Sequence, residues 1–288
     1  MKPIVAVIAP GMMGSAVAKR LTEKGLEVRT SLAGRSATTL ARAAGAGMVD
    51  ATDAAIAEAD IILSILPPGD AVSLAERLAP ALRNANRKPI YVDCNALDPK
   101  TVLRVAAVVQ AAGATFVDGG IIGPPPEPDS KNTRIYLSGE DAPKAAVLTE
   151  YGLSMPIQPG PIGAASAMKM SYAGITKGFT ALGAAMMLAA TRAGTADALK
   201  AEMAISQPAL YGWLTRQMPK THSKAYRWVA EMEEISAFVS EDPAGAQFYQ
   251  AAASLYERIA ADYEGDKAEC DMLDAFCATE GAEKVPST

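Results

Sequence analysis

The opening residues limit the fold more than any other stretch. Residues 4–8 are a short β-branched apolar run, the composition of a strand buried on both faces in a parallel sheet. The run leads directly into Ala9-Pro10-Gly11-Met12-Met13-Gly14, and residues 15–24 then space Ala16, Val17 and Leu21 as a helix does. Strand, glycine turn and helix in that order open a dinucleotide-binding βαβ unit. There one glycine permits the tight turn, the next lets a pyrophosphate approach the backbone, and the last lets helix and strand pack closely. Ala9, Gly11 and Gly14 hold those three places. The alanine departs from the pattern, and a turn that serves only packing is the competing reading. Free N–H groups at the start of the helix attract phosphate, which assigns Gly11, Met12 and Met13 to a cofactor.

The same rhythm continues. Extended apolar runs at 27–32, 60–66, 90–94, 115–118 and 134–139 alternate with helical segments at 37–44, 71–82, 101–112 and 143–151. This alternation predicts an α/β fold, a Rossmann-type doubly wound parallel sheet built from right-handed βαβ units. Beyond Pro161 no alternating run occurs and the chain becomes Ala- and Met-rich. Pro156, Pro159-Gly160-Pro161 and Gly163 mark the change. The expected division is a Rossmann domain over residues 1–161 and an all-α domain over 162–288. The first helix of the second part, 164–193, would be about 45 Å long. Gly194, Pro208, Pro219, Asp242-Pro243 and Gly265 divide the remainder into four or five further helices.

Composition narrows the chemistry. The 27 basic and 32 acidic residues sum to −5 with the cations scattered, so no patch suited to nucleic acid or an anionic membrane is expected. One histidine, His222, cannot build a His-rich metal centre, and no metal is expected. In Pro219-Lys220-Thr221-His222-Ser223 it reads as a surface or capping residue. Three cysteines are an odd number, which argues for a reducing, cytoplasmic location rather than a disulfide scaffold. Cys270 and Cys277, two helical turns apart, read as core. Residues 179–190 are apolar but short of the roughly 20 that span a bilayer. They predict a buried helix, and its apolar surface predicts a homodimer with interlocked helical halves. Arg227, Glu231 and Glu234 fall on one side of a helix and read as surface pairs, or as a lining for the site near a partner subunit.

The choice between NAD and NADP turns on the residue about 20 positions past the glycine turn, where an acid binds a ribose 2′-hydroxyl and a cation accepts a 2′-phosphate. Gly34-Arg35-Ser36 stands there without an acid. A guanidinium and a hydroxyl suit phosphate, so Arg35 and Ser36 predict NADP; a solvated loop charge is the alternative for Arg35. Two further loops follow strands. Leu66, Pro67 and Pro68 would rim the adenosine and ribose side, and Asn95 would hydrogen-bond the nicotinamide ribose or cap a turn.

With these motifs together, the chain resembles the β-hydroxyacid dehydrogenases, a family that includes 3-hydroxyisobutyrate and 6-phosphogluconate dehydrogenases. Ala9 to Gly14, Arg35-Ser36, Ile65-Leu66-Pro67, Asp93-Cys94-Asn95 and the helix of Lys169 carry the likeness. It is closest to the branch that joins a 6-phosphogluconate-dehydrogenase-like NAD-binding domain to a divergent helical C-terminal domain. The resemblance implies hydride transfer between NADP(H) and a small hydroxy acid or its oxo or semialdehyde partner.

It also implies a lysine general acid/base within a GxGxxxKxxxN pattern, which falls on Lys169, with Ala173 where the asparagine is expected. A substrate-carboxylate loop falls on Gly120, Ile122 and Gly123, with Ile122 and Pro124 where the family has Ser and Gly. Ser166 and Tyr172 stand where the phosphogluconate enzymes have histidines, which argues against that sugar phosphate.

The residues support Lys169 independently: a cation among Ala, Met and Ser near the start of a long apolar helix suits a group that gives and takes a proton. Tyr172, three residues on, shares its helical face and joins it as the second catalytic candidate. Lys177, two turns further, is the weaker alternative to Lys169. Two rival functions are an imine reductase or reductive aminase, and a sensor that binds NADP(H) without turnover.

Overall fold

The computed structural model describes residues 2–128 and 132–278, and they form two compact units, one closing at Ser171 and the next opening at Tyr172. In the first unit, β1 (Val5–Ile8) passes through the glycine turn into α1 (Met12–Glu23). There follow β2 (Val28–Thr30), α2 (Ala37–Gly45), β3 (Val49–Asp50), α3 (Asp53–Ala57), β4 (Ile61–Ser64), α4 (Ala71–Asn84) and β5 (Ile90–Asp93). Then come α5 (Pro99–Ala111), β6 (Thr115–Ile122), β7 (Arg134–Ser138), α6 (Ala142–Ala145) and the start of α7 (Ala164–Arg192). The sheet order is β3-β2-β1-β4-β5-β6-β7. Strand order reverses beside β1, which makes the β1–β4 crevice the switch point where open sheets of this kind take ligands.

Alternation along the strands builds two apolar layers. Val5 and Val7 join Val17 and Leu21 of α1 on one face. Ala6 and Ile8 join Leu74 and Leu78 of α4 on the other. The expected Rossmann-type sheet is present, with one difference at its end: β7 pairs antiparallel with β6, whereas the alternation predicts a parallel strand. The intervening segment carries Pro124-Pro125-Pro126, and its described residues supply no crossover helix, which a parallel neighbour requires. β6 also runs past the expected end at Asp118 as far as Ile122. The short β3 and α3 have no sequence signal, since two exposed strand residues and five helical ones are too few to show a period.

The second unit continues α7 and adds α8 (Ala196–Ser206), α9 (Pro208–Gln217), α10 (Ala225–Phe238), α11 (Pro243–Glu264) and α12 (Ala268–Cys277). Pro208 and Pro243 open their helices, where a missing N–H costs nothing. Gly194, at φ +70°, ends α7 in the left-handed conformation that favours glycine. The unit's core includes Met232, Ile235, Tyr256, Ile259, Cys270, Leu273 and Phe276.

Two sequence expectations are corrected in this unit. His222 is buried, with Nε2 2.9 Å from Asp274 Oδ1 and its ring tilted against Tyr263, because the turn that carries it packs under α12. Glu231, read from the sequence as part of a surface set with Arg227 and Glu234, meets the half-buried Lys177 ammonium of α7, which also lies 5.1 Å from the centroid of the Trp228 ring. The Tyr256 hydroxyl donates to the Lys177 carbonyl at 2.6 Å. Lys177 thus ties α7 to α10 and α11.

α7 is the one helix, among the described residues, long and apolar enough to cross a bilayer by length and composition, yet half of its most apolar window is buried. The exposed part has a pattern. Tyr172, Ile175, Phe179, Leu182 and Met186 are all exposed, and their spacing alternates three and four as in a heptad seam. Beside this stripe α7, α8 and α9 border an apolar groove of about 530 Å³ that includes Met203, Leu210 and Leu214. α8 has no buried residue.

Candidate active site

The site is built on the carboxyl edge of the sheet. Register aligns Ile8 with Ser64, Ser64 with Asp93, and Asp93 with Asp118. At the β1 end, Gly11 caps α1 without any side-chain hydrogen bond, and a Cβ added to it would meet nothing within 4 Å. Backbone is therefore open to a ligand, and the first-turn N–H groups of Met12 and Met13 have no side-chain cap. A Cβ on Gly14 would overlap the Ala9 carbonyl oxygen, so glycine is required there. Ala9 has no left-handed φ, and its methyl group is tolerated where the motif usually has glycine. This cradle fits a dinucleotide pyrophosphate.

At the end of β2, Gly34 at φ +72° turns the chain and Arg35 is exposed. The Ser36 hydroxyl caps α2, accepting from the Thr39 N–H at 3.3 Å, so it can add only its own proton to a bound phosphate. Leu66, Pro67 and Pro68 line the lip after β4, with Pro67 exposed.

Asn95 differs from the expectation of a ligand-facing side chain. It is buried: its Oδ1 accepts from the Leu66 N–H at 2.5 Å, and its Nδ2 donates to Ser64 Oγ at 2.9 Å and Asp93 Oδ2 at 3.1 Å. A residue so committed holds the β4 and β5 loops together. The Asp93 carboxyl beneath it is pushed up to about 7, chiefly by burial and further by the charge of Asp118, against the lowering effect of the Asn95 hydrogen bonds.

The residue that organises the other end was not singled out in the sequence. Asp118 is fully buried on β6. It accepts from Ser138 Oγ at 2.8 Å, from the N–H groups of Gly163 and Ser166 at 3.0 Å each, and from Ser166 Oγ at 2.5 Å. Ser138 Oγ in turn accepts from the Ala165 N–H at 3.0 Å. The start of α7 is thus capped from the sheet, its orphan donors satisfied by a carboxylate placed at the positive end of the helix. Ser166 stands at a position the sequence associates with substrate, but its hydroxyl is spent on this cap. The available signal was an acid ending an apolar strand, which is too common to single out.

One turn beyond Ser166, Lys169 is half-buried and its Nζ donates to the Ile121 carbonyl at 2.9 Å. Gly120 makes room for it: a Cβ there would lie 2.8 Å from the Ala165 carbonyl oxygen and 3.1 Å from Lys169 Cβ. Gly120 and Ile122 belong to β6 and not to a loop, which corrects the expected substrate loop; only Gly123, at φ +115°, turns away. Gly120 is buried against α7 and Ile122 is half-buried. Tyr172 is exposed and belongs to the second unit. No group of three or more His, Cys, Asp or Glu suited to a metal occurs among the described residues.

Residues 4–147, half of the 288, match the family model described as the NAD binding domain of 6-phosphogluconate dehydrogenase. The chain belongs to this family. Residues 190–259 match a second model, described as a domain of unknown function. A 28.5 kDa protein from Methanothermus fervidus is 26% identical over 68% of this chain and 74% of its own.

Among solved structures, a conserved protein of unknown function described as structurally similar to 3-hydroxyacid dehydrogenases aligns with a TM-score of 0.69 at 27% identity, over 90% of this chain and 97% of that one. The 3-hydroxyisobutyrate dehydrogenase of Mycobacterium tuberculosis aligns with a TM-score of 0.71 at 18% identity, over 96% and 100%. An imine reductase from Myxococcus stipitatus in complex with NADP+ aligns with a TM-score of 0.55 at 18% identity, over 96% and 100%. The chain therefore has an NAD(P)-binding domain of the 6-phosphogluconate dehydrogenase type, followed by a helical C-terminal region.

Proposed function

We propose that the protein is an NADP-dependent oxidoreductase acting on a small hydroxy acid or its oxo or semialdehyde partner, with Lys169 as general acid/base. The bound dinucleotide supplies the hydride. The observation that carries the reading is the fixed amine: Lys169 Nζ is held 2.9 Å from the Ile121 carbonyl, on a helix whose start is bound to the carboxyl edge of the dinucleotide sheet through Asp118. In reduction Nζ gives a proton to the substrate oxygen as the carbonyl carbon is reduced, and in oxidation it takes that proton back. Tyr172 is assigned to the same oxygen on helical spacing, one turn from Lys169. Gly120, Ile122 and Gly123 form the wall against the substrate.

For the cofactor, the open backbone at Gly11 and the uncapped N–H groups of Met12 and Met13 receive the pyrophosphate. Arg35 and Ser36 receive the 2′-phosphate, and Leu66, Pro67 and Pro68 cover the ribose. Asn95 acts by holding the Leu66 backbone. The exposed heptad stripe on α7 and the unburied α8 are assigned to a second copy of the chain, since one stripe meeting its own counterpart makes a self-complementary contact. We assign the protein to the cytoplasm.

NADPH oxidation with a panel of oxo acids, semialdehydes and imines tests the reaction class. Turnover of the acids and semialdehydes is expected, whereas imines alone as substrates would make it an imine reductase. Arg35→Ala tests the cofactor. NADPH binding should weaken about 10- to 100-fold while NADH binding stays as it was, and an unchanged NADPH to NADH ratio would refute the assignment.

A further inference from the structure

Register and packing place a second cation on the face of the sheet against which Lys169 of α7 packs. Beyond Asp118, β6 continues to Ile122, with Gly120 opposite Tyr136 and Ile122 opposite Arg134. The side of Gly120 is known from its neighbours, since a Cβ there would touch Ala165 and Lys169. Residues two apart on a strand share a face, and so do residues directly opposite on a paired strand, about 5 Å apart at Cβ. Ile122 and Arg134 therefore lie on the Lys169 side. The register cannot slip, because Ile121 and Ile135, opposite each other, are both buried in the core on the other side.

Arg134 is exposed and makes no ion pair with the described residues. The chain just beyond Ile122, Gly123-Pro124-Pro125-Pro126, has three successive residues without an N–H. Backbone there is poor in donors for an anion, whereas a guanidinium offers five in a planar fork that fits a carboxylate. Lys169 is fixed at the Ile121 carbonyl and Arg134 stands opposite Ile122, so both cations belong to the face that Ile122 shares.

We infer that Arg134 binds the carboxylate of the substrate while Lys169 handles the proton on its carbonyl or hydroxyl oxygen. The inference rests on the reading of Lys169 as acid/base and specifies the substrate: a short oxo acid or semialdehyde with a carboxylate a few bonds from the reacting carbon, Ile122 lying against the carbons between. Arg134 is thus a specificity-determining residue, and the anion is recognised from β7.

The test uses the intact enzyme with NADPH, oxo acids and semialdehydes of two to five carbons, and their methyl esters. The wild type should prefer each acid to its ester through KM. In Arg134→Gln, kcat/KM for the acids should fall about 10- to 100-fold, the usual worth of a charge-assisted hydrogen bond, and fall far less for the esters, so that the preference collapses. Arg134→Lys should restore part of it. Malonate binding to the NADPH complex, measured by calorimetry, should weaken in parallel and needs no turnover. A wild type indifferent to the ester, or an acid preference and malonate affinity untouched in Arg134→Gln, overturns the assignment. Loss of turnover in Lys169→Ala together with an unchanged Arg134→Gln would sink this inference alone. Full turnover in Lys169→Ala would sink the reading beneath it, with malonate binding still deciding Arg134.

Discussion

The two stretches of α7 face opposite tasks. In the first unit its opening turns are locked down: Asp118 and Ser138 satisfy the N–H groups of Gly163, Ala165 and Ser166, and Lys169 is tied to Ile121. In the second unit the same helix leaves Ile175, Phe179, Leu182 and Met186 exposed, and its charged residues, Lys177 and Arg192, are engaged with Glu231 and Glu269. The difference separates a bound stretch from an open one. Hydrogen bonds from a buried carboxylate fix the position of the first turns and of the amine they carry. The exposed stretch keeps a regular apolar seam, the spacing that the proposed dimer would use.

That contrast can be broken from either side. Outside the proton carrier itself, the largest effect is expected from Asp118→Asn, which keeps the shape but removes the charge and part of the accepting capacity. Loosening the start of α7 should lower kcat about 100-fold while NADPH affinity stays within about threefold by fluorescence titration. A folded variant with wild-type kcat would show that the cap has no bearing on Lys169.

Asp93→Asn probes the same buried edge through pH. Its carboxyl is raised to about 7 in the folded protein, above its value in the unfolded chain. The fold therefore favours the protonated form, and the stabilisation that this provides is complete below about pH 4 and lost as pH rises to 7. Between those limits the wild type should lose up to about 4 kcal/mol relative to Asp93→Asn. Urea unfolding of both proteins across the range measures it, and parallel curves would contradict the burial argument. The smallest effect on the reaction should come from the second unit. Ile175→Glu with Leu182→Glu should convert a dimer to a monomer in light scattering, with NADPH affinity within about twofold. A wild type already monomeric would remove the seam's assigned role.

How much of this was legible in the sequence follows from the same contrast. The strand, glycine turn and helix at residues 4–24 disclosed the sheet, and the cradle appears where Gly11 and Gly14 put it. The apolar run of α7 and the proline and glycine breaks disclosed the helical part. These signals are local, carried by period and turn chemistry. The antiparallel β7, the burial of Asn95 and His222, and the cap made by Asp118 were not legible, because each depends on a partner far along the chain. Asp118 bonds residues 20 to 48 positions away, and His222 meets Asp274 from 52 positions away. Lys169 was singled out through its resemblance to a family motif and its apolar helix; its carbonyl partner required the strand extension of β6.

Lys169 is proposed as the proton carrier of a site built on the first unit. Steady-state turnover of Lys169→Ala on the best substrate of the panel, alongside NADPH titration of the same sample, tests it most directly. With Lys169 in that role, kcat should fall by about 10² or more with cofactor affinity essentially retained. Undiminished kcat in a variant that still binds NADPH would contradict it.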